Sequence, residues 1–190
     1  MAPAYQPSRT PAERNRRAIY AFRYRTLSDP ILEVFNRPAS EVSCERRDET
    51  TITPQVFAQF NSDFSAARSL AWAVSLKRLS PRLDVQIGRA IEIALGRESR
   101  PDEVGPLRAH VSDMLDHHRT HTPKRTKLPL AVRRYMVEEL TGRTVHWDED
   151  LVGMRDYLRD VQPCEVDEHT RALAELCLVL FNCNEFLYVR

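Results

Sequence analysis

Apolar positions recur at spacings of three and four along most of the chain, the mark of helices that bury one side. The strongest run follows Thr53-Pro54, where Phe57, Phe60, Phe64, Ala67, Ala71 and Val74 share a helical stripe. Asn61-Ser62-Asp63 interrupts it, with Ser62 placed to cap a second segment. Thr10-Pro11-Ala12-Glu13 reads as a capping box opening a helix to about Leu27, which Asp29-Pro30 stops. A short helical turn is predicted over Ile31 to Phe35. Further helices are predicted near 82–95, 102–119, 129–141 and 168–183, with Gly96 and Gly142 as C-terminal caps. Pro106 requires the second of these to start close to Asp102. Leu176 to Phe181 is apolar nearly all round and predicts a helix central to the core.

Two stretches, Thr144 to Trp147 and Leu187 to Val189, are strand-like and read as one short β pair. The acidic run Trp147-Asp148-Glu149-Asp150 reads as a helix start. Residues 36–53 form a polar loop longer than a plain connection needs. The expected fold is therefore mainly α: residues 1–9 as a loose lead, then one compact domain of about six helices over 10–190.

Composition narrows the function classes. The chain has 190 residues and a formal net charge of +1, which excludes a strongly basic nucleic-acid binder. Charge is uneven, with residues 97–134 basic and 138–168 acidic, an asymmetry suited to docking. Cys44, Cys164, Cys177 and Cys183 contain no C-x-x-C pair, and Cys177 and Cys183 read as buried reduced thiols. None of the five glycines makes a dinucleotide or phosphate loop, and G-x-S-x-G and H-E-x-x-H are missing. No cofactor is expected.

At the polar loop the sequence becomes recognisable. Phe35-Asn36-Arg37-Pro38, Cys44-Glu45-Arg46-Arg47, Thr51-Ile52-Thr53-Pro54-Gln55 and Phe60-Asn61-Ser62-Asp63-Phe64 occur in that order. Arg16-Arg17-Ala18-Ile19-Tyr20, Ala94-Leu95-Gly96-Arg97, Pro101-Asp102-Glu103 and Asn182-Cys183-Asn184-Glu185-Phe186-Leu187-Tyr188-Val189 flank them. Together they resemble a planctomycete-type domain of unknown function that closes a family of large exported proteins, over about residues 14–190. Members of that family usually begin with a cytochrome-c-like domain bearing a haem motif. This chain has no such motif, so haem does not carry over. The resemblance implies a non-catalytic helical accessory module that partners other domains or subunits of a larger exported assembly. The chain's first residues lack an apolar signal region, which on its own predicts a cytoplasmic product.

The candidate ligand- or partner-binding residues are Cys44, Arg46, Arg47, Asn61, Asn182, Asn184 and Glu185. Adjacent guanidiniums at 46 and 47 can clamp a carboxylate or phosphate, or pin the loop to nearby acids. Their charge can also activate the Cys44 thiol. The competing reading is a hydrolase-like enzyme on an anionic polymer, with Arg46 and Arg47 as the anion clamp. Asn182 and Asn184 are placed to cap the central helix. His117 and His121, four apart with Asp113 one turn before, are a weak metal-ligand candidate.

Overall fold

The computed structural model describes residues 7–21, 29–38, 44–46 and 53–188. Its elements run α1 (Pro11–Arg14), α2 (Pro30–Val34), α3 (Thr53–Asn61), α4 (Asp63–Leu79), α5 (Leu83–Leu95), α6 (Pro101–Thr120), β1 (Ala131–Val137), β2 (Thr144–Asp150), α7 (Glu168–Phe181) and α8 (Asn184–Leu187). The protein is mainly α, with one short antiparallel β pair. These elements gather into two compact units, residues 1–50 with 126–159, and residues 51–125 with 160–190.

The second unit holds the helical core. Ala73 and Leu76 of α4, Ile87, Ala90 and Ile91 of α5 and Val111 of α6 close on Ala172, Leu173, Leu176, Cys177 and Leu180 of α7. More of this core comes from α7 than from any other helix, as the apolar run at 176–181 predicts. The helix is nevertheless two-sided, because Val179 is exposed. Its start is fixed by Asp167, whose carboxylate accepts from the Thr170 N–H at 2.9 Å and from Lys77 Nζ. Those donors, Lys77 first, hold Asp167 well below the usual carboxylate range.

Ser62 separates α3 from α4 as predicted, its hydroxyl accepting from the Ser65 N–H at 3.2 Å. The phenylalanines of the predicted helical stripe lie outside the core. Phe57, Phe60 and Phe64 are exposed, and α4 instead buries Ser65, Ser69, Leu70, Ala73 and Leu76. Helical spacing locates a stripe but not the side a neighbour covers, and small residues let α7 approach closely. Gly96 ends α5 in the left-handed region at φ 68°, with open space where a Cβ would stand. Gly96→Ala is therefore expected to cost about 1 kcal/mol through backbone strain alone, read as a lower urea midpoint with an unchanged m-value. The helix α6 starts at Pro101, early enough for Pro106 to sit within it.

In the first unit the capping box at Thr10 and Glu13 forms, but the long helix to Leu27 does not. The α-helix stops at Arg14, and a 3-10 turn follows over Ala18–Tyr20. Arg14 turns back to donate to the carbonyls of Ser8 and Arg9, both at 2.9 Å, and of Leu158 at 2.7 Å, and lies over the Tyr157 ring. The short turn at α2 is as expected. It ends with Asn36 at φ 53°, the Arg37 N–H reaching the Leu32 carbonyl and the Asn36 N–H that of Glu33. That is a Schellman cap, in which asparagine is a tolerated substitute for glycine.

Residues 129–141 are not a helix. Ala131–Val137 is a strand, paired antiparallel with Thr144–Asp150 so that Arg134 faces Trp147 and Tyr135 faces His146. Gly142, at φ 69°, serves the turn between them rather than a helix end. The acidic run 147–150 lies in β2, not at a helix start, and Leu187 closes α8 rather than joining a strand. Val132, Tyr135 and Val137 favour an extended chain, and a polar turn of six residues can close it, so period two prevails over period 3.6.

Candidate functional site

Of the residues singled out in the polar loop, Arg47 lies outside the described residues. Cys44 and Arg46 are exposed, and the Cys44 thiol donates to the Arg46 carbonyl at 3.0 Å. Asn61 is the exposed last residue of α3.

The other candidates lead to an arginine that spacing alone does not pick out. The left-handed turn at Gly96 directs the chain from α5 towards the start of α6, and Arg97 sits at the corner. Its guanidinium grips Glu185 of α8 through Nε at 2.6 Å and Nη2 at 2.9 Å. It also grips Glu103 through Nη2 at 2.6 Å and Nη1 at 3.0 Å, and donates to the Glu98 carbonyl at 3.0 Å. Glu103 in turn accepts from the Arg100 N–H at 2.8 Å, closing the first turn of α6. The Arg97 hydrogen bonds bring Glu103 down to about 2 and lower Glu185 as well. Glu185 is thus a structural acid shared between helices. Charges of opposite sign in three separated motifs were the only trace of this node in the sequence.

Asn182 does what a helix-end amide is expected to do, its Nδ2 donating to the Leu178 carbonyl at 2.8 Å. Asn184 is the exposed first residue of α8. Cys177 is fully buried, which pushes its thiol strongly up, whereas Cys183 is only half-buried.

A cleft of about 280 Å³ opens among the end of α6, one face of α4 and one face of α7. Ala66, Leu70, Ala174 and Leu178 make its apolar walls, and His117, His118, His121, Arg171 and Glu175 bring polar groups to it. His117 and His121 do not present two nitrogens along a helix face, because α6 ends at Thr120. Their rings stack at 4.2 Å, and His121 Nδ1 lies 3.0 Å from the His117 carbonyl, so His121 finishes the helix. No group of three or more metal-ligating side chains exists among the described residues. His118 Nε2 stands 3.4 Å from Glu175, yet burial outweighs that carboxylate and lowers the imidazole below its ordinary value.

Arg171 spends its two Nη groups on carbonyls: Val166 at 2.7 Å, Pro163 at 3.3 Å and His118 at 3.2 Å. Its Nε is buried without a hydrogen-bond partner, and so is Oγ of Ser69, a residue only 1% exposed. Neither Ser69 nor Arg171 is singled out by the sequence. Their signal is negative, a polar residue where the stripe of a helix calls for an apolar one. Ser69→Ala is expected to leave stability unchanged or raise it by up to about 1 kcal/mol, since an unsatisfied buried hydroxyl is removed. Chemical denaturation checks this.

The fold thus defines a mainly α protein whose charged motif residues are tied to one another. A family model, PSD1, described as a protein of unknown function (DUF1553), matches residues 2–111. The chain belongs to that family. No curated protein and no solved structure matches it. The matched stretch contains Ser69, Arg97 and Glu103, while Arg171 and Glu185 lie beyond it.

Proposed function

We propose that this chain is a non-catalytic helical accessory module, built to dock against other domains or subunits of a larger exported assembly. The observation that carries the reading is the ribbon of β1 and β2. It is a sheet of two strands, so each strand keeps one edge unpaired among the described residues. Such a ribbon is marginal in water unless something packs on it. Yet Tyr135, Met136, Val137, Val145 and Trp147 are exposed, and Leu140 in the turn is 96% exposed. Met136, Val145 and Trp147 share one face of the ribbon and Tyr135 and Val137 the other, so neither face is covered, and exposed apolar surface of this kind marks an interaction site. Its charges suit an oriented partner, Arg133 on β1 and Asp148 opposite on β2. Strand addition at either edge satisfies the free backbone groups and covers the side chains in one step.

The reading is tested with a photo-reactive amino acid placed at Leu140 in cells that make the chain. A control places it at Arg89, on the exposed side of α5. One discrete cross-linked species from Leu140 and none from Arg89 is expected. Absence of an adduct at Leu140, or the same adducts from both positions, contradicts the reading.

A further inference from the structure

The ribbon has two edges, and its ladder decides which backbone groups each one presents. At the two ends, the Leu151 N–H donates to the Leu130 carbonyl at 2.8 Å and the Glu138 N–H to the Arg143 carbonyl at 2.9 Å. Inward and outward residues alternate along an antiparallel pair. Ala131, Arg133, Tyr135 and Val137 therefore turn their N–H and C=O groups to the outer edge of β1, and Thr144, His146, Asp148 and Asp150 turn theirs to the outer edge of β2. All four of these β1 residues are exposed, and among the described residues no backbone hydrogen bond reaches their outward groups. We infer that the outer edge of β1 takes up an extended segment of the partner, one that carries an acidic residue beside Arg133 and apolar or β-branched residues beside Tyr135 and Val137. This rests on the docking reading and names the edge and the chemistry it recognises.

Charge separates the two edges. Asp148 and Asp150 stand on the β2 edge with Glu149 between them, and Arg155 engages Asp150 at 2.7 Å. Charged residues on an edge strand oppose further pairing, and three successive carboxylates repel an acidic segment. The outward residues of β1 carry one charge, on Arg133. That guanidinium stands opposite Asp148 in register but forms no ion pair with it. It is therefore available to a carboxylate on its other side, one strand spacing away. Arg134 does not compete, because its side chain lies on the other face and is held by Glu149 at 2.9 Å. Tyr135 and Val137 follow Arg133 on its own face, 66% and 52% exposed, and both residue types pair well with apolar and β-branched neighbours.

The experiment titrates the full chain with a short capped peptide of valine and threonine bearing one central glutamate, and in parallel with the same peptide bearing lysine there, followed by amide NMR. The glutamate peptide is expected to saturate and to move the amide signals of residues 131–137 more than those of 144–150. It is expected to bind about five- to tenfold more tightly than the lysine peptide. Arg133→Glu is expected to reverse that order. Tyr135→Pro takes away an outward N–H and no ladder bond, which an edge strand tolerates, and is expected to abolish binding. His146→Pro, its counterpart on β2, is expected to leave the affinity unchanged. Arg133→Glu alters only a surface charge, so it carries the test even if Tyr135→Pro disrupts the ribbon. No saturation by about 1 mM glutamate peptide, equal affinity for the two peptides, or an unreversed order in Arg133→Glu overturns the assignment. So does a loss in His146→Pro as large as that in Tyr135→Pro. The Leu140 adduct reports on docking itself, so failure here with that adduct present overturns the edge and its chemistry alone.

Discussion

Leu176→Ala is expected to destabilise the protein by about 2–5 kcal/mol, which lowers the melting temperature by roughly 4–20 °C for a chain of this size. Leu176 is fully buried on the face of α7 that meets α4, α5 and α6, so the missing atoms leave a cavity that three helices must collapse to fill. Leu180 lies one turn later on the same face, and its truncation is expected to act in the same direction. Val179, exposed between them, is the control. If Val179→Ala costs as much as Leu176→Ala in thermal melts, α7 turns a different face to the core.

Arg97→Ala is expected to give the largest loss among the charged residues of the helical unit. It leaves Glu103 and Glu185, two carboxylates that shared one guanidinium, facing each other without it. It also releases α8, a helix of only four residues, from its ion-pair tether. A marked fall in melting temperature is expected, well beyond that of Arg89→Ala, whose Glu92 partner is on the same helix face. Arg97→Lys recovers only part of it, because an ammonium cannot match two bidentate carboxylates. The pH dependence has a definite sign. Glu103 is lowered in the fold to about 2, so its contribution is present above its unfolded value and fades as pH falls through that range towards 2. Glu185, also lowered, adds in the same direction. Melting curves between pH 2 and 7 should therefore fall towards acid in the native chain and fall less in Arg97→Ala. Equal slopes would show that the node contributes nothing.

The sequence carried the helical unit well where local chemistry and packing agree. Ser62, Gly96 and the acidic start of α6 are caps whose residues act on their own neighbours, so spacing reveals them. It failed where a distant element decides. The spacing of Phe57, Phe60 and Phe64 marks a helix but not which side is covered, and these side chains are exposed. Residues 129–141 have enough apolar positions for a helix, yet their partner strand and the turn at Gly142 select an extended chain. The opening helix fails for a similar reason, since Arg14 finds carbonyls at 8, 9 and 158.

The candidate site divides along the same line. Asn182 is legible because capping is local. Glu185 reads from the sequence as a ligand- or partner-binding residue, whereas in the fold it is held by Arg97, 88 residues away, and no local pattern connects them. Ser69 and Arg171 are hidden altogether, because what marks them is a hydrogen bond not made within the chain.

We infer that the helical unit holds together on its own while the β1–β2 ribbon waits for a partner. Hydrogen exchange of the whole chain alone, resolved by peptide, tests it most directly. Amides of α4 and α7 are expected to exchange slowest, near the rate of global unfolding, and those of residues 131–150 many times faster. Ribbon amides as slow as those of α7 would contradict it, because a ribbon that stable alone has no surface left in need of covering.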